Sequence, residues 1–181
     1  MNILTDYRAA NEPLSDLLTT LTDHDWAAES PCAGWTAADV VAHLIGTQAA
    51  FLAGAGIATP EPGDVAADPA AAWTRHTTGI EALLGRPEVV NQDYRGMFGP
   101  STVGDILDTF YVFDMVAHRW DIARAAGRAA VFTDAELDRL EAAIAAFGDH
   151  LYLDGICKPA THPGAGATRQ DTILAALGRT P

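Results

Sequence analysis

Two residues with side chains suited to acid–base or metal chemistry, Asp114 and His118, lie four positions apart in the segment TFYVFDMVAHRWDIARAAG, residues 109–127. Residues at this spacing leave the same face of an α-helix about one turn apart, so the carboxylate and the imidazole act as a pair. An ionised carboxylate among core-facing apolar residues is unfavourable unless it has a partner. The spacing therefore predicts a carboxylate that is balanced by a base, by hydrogen-bond donors or by a metal.

A third candidate ligand is His43, in the segment WTAADVVAHLIGT. It lies beside an apolar helical stripe, so its imidazole can point into the interior; the stripe consists of Val40, Leu44, Thr47 and Phe51. Two imidazoles and a carboxylate from two helices form a donor set for a divalent transition metal with open coordination positions. The alternative is that Asp114 and His118 only form a hydrogen bond within their helix, and that His43 only contributes to the packing of the core.

Asp121 follows His118 by three residues and Asp114 by seven, so its carboxylate can orient a ligand imidazole. It lies on one helical stripe with Asp114, which consists of Val103, Leu107, Phe110, Asp114, Ala117 and Asp121. A salt bridge to Arg124 or Arg128 explains the same residue equally well. The large apolar side chains next to helix ends, Trp35 and Trp120, are interpreted as packing anchors rather than pocket walls. The remaining histidines are expected to be mostly solvated: His24, His76, His150 and His162.

The elements that must position these residues are helices. Periodicity and capping signals predict helices over residues 5–21, from Ala37 onward, between a cap at Asp68 and a stop at Gly85, from a cap at Ser101 or Thr102 to Ala126, over residues 134–153, and in the closing segment RQDTILAALGRTP. The Gly- and Pro-rich residues 54–69 predict a long loop. Because a strand is indicated only around residues 88–94, the fold class is all-α, a four-helix bundle with additional short helices.

Composition sets the broad class. The chain has 181 residues, 49% of them hydrophobic and 19% charged, which fits one globular domain over residues 1–181. The net charge of −13 disfavours nucleic acid and anionic membrane surfaces as partners. No signal-peptide pattern or long uninterrupted apolar stretch is seen, so a cytoplasmic location is expected. Cys32 and Cys157 lack metal-knuckle spacing and are expected to be reduced, mostly buried thiols.

Three segments carry a resemblance to a known family. SPCAGWTAADVVAHL, VFDMVAHRWDIARAAG and ILAALGRTP resemble the DinB-like metalloenzyme superfamily, in particular its actinobacterial branch related to the metal-binding domain of mycothiol-dependent maleylpyruvate isomerase. The resemblance implies a bundle of the up-down-down-up type. Carried over residue by residue, it implies His43, Asp114 and His118 as metal ligands. One departure is that the related isomerase has Glu where this chain has Asp114.

The resemblance also implies a function: a metal-dependent transferase or isomerase in which a small thiol, such as mycothiol, attacks an electrophilic substrate. Zinc is the first choice for the metal, with nickel, iron and manganese as alternatives. No catalytic general base is identified. The alternative is a non-catalytic bundle that binds a metal or a small molecule, or that forms a homodimer.

Overall fold

The computed structural model describes residues 2–96, 99–153 and 155–181. The chain divides into two compact units, residues 1–128 and residues 129–181. The first unit contains all of the candidate metal ligands. The single domain over residues 1–181 stays a prediction.

The first unit is built from helices and one short hairpin. Its helices are α1 (Ile3–Leu18), α2 (Asp23–Trp26), α3 (Ala37–Gly54), α4 (Pro69–Leu84), α5 (Pro87–Val90), α6 (Val103–Ile106) and α7 (Phe113–Ala125). The hairpin pairs β1 (Asp93–Gly96) with β2 (Gly99–Thr102) in antiparallel register, Asp93 opposite Thr102. The segment predicted as a strand, around residues 88–94, is therefore helical at its start, in α5, and extended at its end, in β1.

Four long helices surround the core. Helix α1 packs against α4 and α7, and α3 packs against the same two helices, so the four close a ring. This confirms the predicted all-α bundle. Its centre is filled by large side chains that are less than 2% exposed, among them Leu14, Leu44, Trp73, Ile80, Met115 and Ile122. Burial of each such side chain contributes about 1.5–3 kcal/mol, so these contacts dominate the stability of the bundle.

Helix α3, Ala37–Gly54, is long and apolar enough by composition to cross a membrane. Its buried positions, however, pack against α4 and α7 inside the bundle. The apolar content of α3 is therefore explained by its place in the core of a protein domain.

Local sequence signals set where the helices begin and end. Thr36 and Asp39 form a capping box at the start of α3: the Asp39 amide donates to Thr36 Oγ1 and the Thr36 amide donates to Asp39 Oδ2 at 2.8 Å. Asp68 caps α4 by accepting a hydrogen bond from the Ala71 amide at 2.9 Å. Helix α1 runs three residues short of the predicted end and accommodates Pro13 in its interior.

The long helix predicted from Thr102 to Ala126 is present, but it is not a regular α-helix throughout. A π-helical segment, Leu107–Val112, joins α6 to α7. A π turn contains more residues than an α turn, so it shifts the face on which the following residues lie. The predicted stripe through Phe110 therefore does not continue regularly into α7, where Asp114 and His118 lie.

His76 is the exception among the four histidines that were expected to be mostly solvated. His24, His150 and His162 are exposed, whereas His76 is fully buried in α4. Its Nε2 lies 3.1 Å from Gln48 Oε1, which also accepts a hydrogen bond from the Tyr7 hydroxyl at 2.9 Å. His76 lies at an apolar position in the helical spacing of α4, which indicated burial. Its polar partner on α3, Gln48, offsets the cost of burying the imidazole.

The second unit contains α8 (Asp134–Phe147), a 3₁₀ turn (Gly148–Tyr152) and α9 (Arg169–Ala176). Helix α8 packs against α9, and Leu140 and Leu174 are fully buried. The helix predicted over residues 134–153 ends at Phe147, because Gly148 has a φ of +51° that interrupts the helical backbone.

Candidate metal centre

Two neighbouring helices bring the three candidate ligands together. Helix α3 supplies His43, and α7 supplies Asp114 and His118. One ligand atom from each residue lies within 4.8 Å of the others. The imidazole rings of His43 and His118 meet edge to face, with centroids 5.2 Å apart and planes at 75°. The structure thus places the three residues at a spacing that one ion could bridge.

A buried carboxylate orients one of these imidazoles. His118 Nδ1 lies 2.9 Å from Asp121 Oδ2, and the Asp121 side chain is fully buried. With Nδ1–H donated to this carboxylate, Nε2 is the nitrogen that remains available to a metal. The orienting contact predicted for Asp121 is therefore present. Arg128, which was named as an alternative salt-bridge partner of Asp121, donates hydrogen bonds to the Thr20 carbonyl and to Asp25 Oδ2.

The two imidazoles have different electrostatic environments. Burial lowers the pKa of His43 to about 4, and the charge of His118 adds to this effect. Burial also disfavours the charged form of His118, but its hydrogen bonds with Asp121 and Cys32 and the charges of Asp121 and Asp114 outweigh that cost and raise its pKa to about 9. Metal binding through His118 therefore requires displacement of a proton from this ring.

Burial of the two carboxylates differs from the expectation. Asp114, predicted to be a buried carboxylate in the core, is half-buried, whereas Asp121 is fully buried. The desolvation cost that was assigned to Asp114 therefore falls mainly on Asp121, whose charge is balanced by His118. The partial exposure of Asp114 suits a metal ligand at a site that substrates can reach.

Aromatic residues lie near two of the three candidate ligands, His43 and Asp114. The Trp35 ring lies against His43, with centroids 4.8 Å apart, so Trp35 lines the site in addition to packing at the start of α3. Trp120 is buried, as expected for a packing anchor. Tyr111 was not among the predicted site residues; burial and then the charge of Asp114 raise its pKa. Its position three residues before Asp114 was the available signal.

Cys32 was also missed as a site residue. It lies in the loop before α3, and its thiol donates to Asp121 Oδ2 at 3.4 Å and lies 4.0 Å from His118 Nδ1. Both cysteines are thiols and both are half-buried, somewhat less than expected. No local spacing connects Cys32 to residues 86 and 89 positions later, so only the fold reveals this contact.

The donor set fits a divalent transition metal. Catalytic zinc and related ions in proteins use imidazole and carboxylate ligands, and a further carboxylate supports a ligand imidazole. This site offers two imidazoles and one carboxylate as ligands, with a second carboxylate behind one imidazole. Three protein ligands leave at least one coordination position for water or a thiol. The same arrangement can polarise a bound small molecule or favour its deprotonation.

Comparison with known proteins places these observations in context. The family model described as the mycothiol maleylpyruvate isomerase N-terminal domain matches residues 7–123. The chain is 28% identical over 192 aligned positions to the uncharacterized proteins MT0763 and Rv0738 of Mycobacterium tuberculosis strains CDC 1551 / Oshkosh and H37Rv, with 99% of each chain covered. No solved structure gives a significant match.

Proposed function

Because the chain belongs to the family of the mycothiol maleylpyruvate isomerase N-terminal domain, a DinB-like metal-binding domain, we propose that it is a metal-dependent enzyme that uses a small thiol, of the mycothiol type, to attack an electrophilic substrate. The reaction class is a transferase or an isomerase. His43, Asp114 and His118 hold the metal, which is zinc in the first instance, with nickel, iron and manganese as alternatives.

One observation carries the proposal: a ligand atom of each of these three residues lies within 4.8 Å of the others, at the join of α3 and α7. The matched segment, residues 7–123, includes all three. Asp121 supports the same interpretation, because a buried carboxylate on the far nitrogen of a ligand imidazole fixes its tautomer and its orientation.

The bound ion would supply Lewis acidity, which favours the thiolate form of a coordinated thiol at neutral pH. The chain contributes the rest. Asp121 accepts a hydrogen bond from His118 Nδ1, which leaves Nε2 as the nitrogen available to the metal. The Trp35 ring beside His43, and the half-buried Tyr111, whose pKa responds to the charge of Asp114, would limit access of water to the cluster. Exclusion of water strengthens the attraction between the site and an anionic sulfur.

The test begins with metal content. We expect protein purified without chelator to hold about one equivalent of a divalent metal, and His43→Ala or His118→Ala to abolish this binding without loss of the helical far-ultraviolet signal. His162→Ala, which changes an exposed histidine of the second unit, is the matched control and should retain full occupancy. Full occupancy in both ligand variants would refute the assignment.

Turnover is then measured with metal-loaded protein. Mycothiol, or another small thiol, is supplied together with an epoxide or maleylpyruvate, and the consumption of both reactants is followed. We expect consumption that requires thiol and metal and that His118→Ala removes. Stoichiometric metal without thiol-dependent turnover on any electrophile would reject the enzyme and favour the non-catalytic binding bundle.

A further inference from the structure

The His118 ring belongs to two clusters of possible ligand atoms. In the first, one of its nitrogens lies within 4.8 Å of ligand atoms of His43 and Asp114. In the second, Nδ1 lies 2.9 Å from Asp121 Oδ2 and 4.0 Å from Cys32 Sγ. The sulfur and the carboxylate oxygen are themselves 3.4 Å apart. A thiol, a carboxylate and an imidazole nitrogen therefore form a second compact cluster.

We propose that Cys32, Asp121 and Nδ1 of His118 form a second metal site, which takes a thiophilic divalent ion such as cadmium or cobalt. Tetrahedral coordination with bonds of about 2.0–2.3 Å separates neighbouring ligand atoms by about 3.4–3.6 Å. The observed separations of 3.4, 4.0 and 2.9 Å differ from that range by about half an ångström or less. Small side-chain rotations bring the three atoms to coordination distance.

Charge balance favours a divalent ion in this cluster. In the absence of an ion, the Cys32 thiol donates a hydrogen bond to Asp121 Oδ2. On coordination the thiol proton leaves to solvent, and the Nδ1 position gives up its proton as well. A thiolate, a carboxylate and a neutral imidazole then neutralise a doubly charged ion. Asp121 is fully buried, so a neutral cluster avoids the cost of an unbalanced charge in the core.

The two sets differ in the metals they prefer and compete for one residue. The second set contains sulfur, a soft ligand, whereas the first set contains only nitrogen and oxygen. A neutral imidazole has a single lone pair for coordination, at one nitrogen. Occupation of one set therefore withdraws His118 from the other, and a thiophilic ion in the second set would block the first.

The experiment isolates the second set in the full-length chain. His43→Ala and Asp114→Ala are combined to remove two ligands of the first set, and the variant is titrated with Co²⁺. A sulfur-to-cobalt charge-transfer band in the near ultraviolet that saturates at about one equivalent supports the proposal. The band must disappear with an added Cys32→Ser and persist with Cys157→Ser, the matched control.

Three results would overturn the proposal: bound Co²⁺ without the sulfur band, a band that survives Cys32→Ser, or no Co²⁺ binding at all in the folded double variant. If the double variant does not fold, the two cysteine variants are compared with the wild-type chain using Cd²⁺, whose sulfur charge-transfer band must again depend on Cys32 alone. Because no turnover is measured, the result is independent of the proposed activity.

Discussion

Replacement of Asp121 by Asn gives the sharpest test of how the first ligand set is built. Asp121 is fully buried and its Oδ2 lies 2.9 Å from His118 Nδ1. Asn has nearly the same shape and keeps one oxygen that can accept this hydrogen bond, but it carries no charge. Asp121→Asn therefore removes the carboxylate that makes the His118 ring a stronger ligand while leaving the packing intact.

The size of the effect follows from this geometry. Loss of a carboxylate that supports a ligand histidine costs about 10–100-fold in metal affinity, or about 1.4–2.7 kcal/mol. With free metal at about 100 times the wild-type Kd, binding stabilises the wild-type fold by about 2.7 kcal/mol. The same concentration is only about 10 times or 1 times the variant's Kd, so the stabilisation falls to about 1.4 or 0.4 kcal/mol.

Urea unfolding followed by far-ultraviolet circular dichroism measures this difference directly. Wild type and Asp121→Asn are each unfolded in chelator and in Zn²⁺ at about 100 times the wild-type Kd. The increase in unfolding free energy on adding Zn²⁺ should be about 1.3–2.3 kcal/mol smaller in the variant. Asp16→Asn, at an exposed position of α1, is the control and should show the full increase. Equal losses in chelator and in Zn²⁺ would refute the reasoning, because Asp121 would then act only on the metal-free fold.

Three further predictions concern residues inside the bundle. Asp114→Ala should lower the Zn²⁺-dependent unfolding free energy far more than the free energy in chelator, and Asp114→Glu should restore Zn²⁺ binding; an equal loss in both conditions would show that Asp114 is not a ligand. Gln48→Leu removes the hydrogen-bond partner of two buried groups, the Tyr7 hydroxyl and His76 Nε2. It should lower the free energy of urea unfolding by about 1–3 kcal/mol for each group, and a cost near zero would contradict the buried network. Burial lowers the pKa of His76 from 6.5 to about 4, so the unfolded chain binds more protons in this range and stability falls as the pH drops from 6.5 towards 4. His76→Leu should remove up to about 3 kcal/mol of this acid-induced loss in chelator, and an unchanged pH dependence would contradict the burial of a neutral imidazole.

The sequence by itself determined the helical elements and the pairs that lie within one of them. Thr36 with Asp39 and Asp68 ahead of α4 marked helix starts, because capping depends on atoms only three residues apart. The pairing of His118 with a carboxylate on the same helix is local in the same way. Spacing alone, however, did not tell which of Asp114 and Asp121 is the buried one.

Tertiary structure decided the contacts that join distant segments. The distance between His43 and His118 depends on how α3 packs against α7, and the burial of Asp121 depends on the same contact. The burial of His76, the exception among four histidines expected to be mostly solvated, depends on a polar partner, Gln48, that belongs to another helix. Cys32 approaches Asp121 across 89 positions of sequence. Such contacts are set by the packing of whole helices, to which side chains throughout the core contribute, so no short pattern within the sequence encodes them.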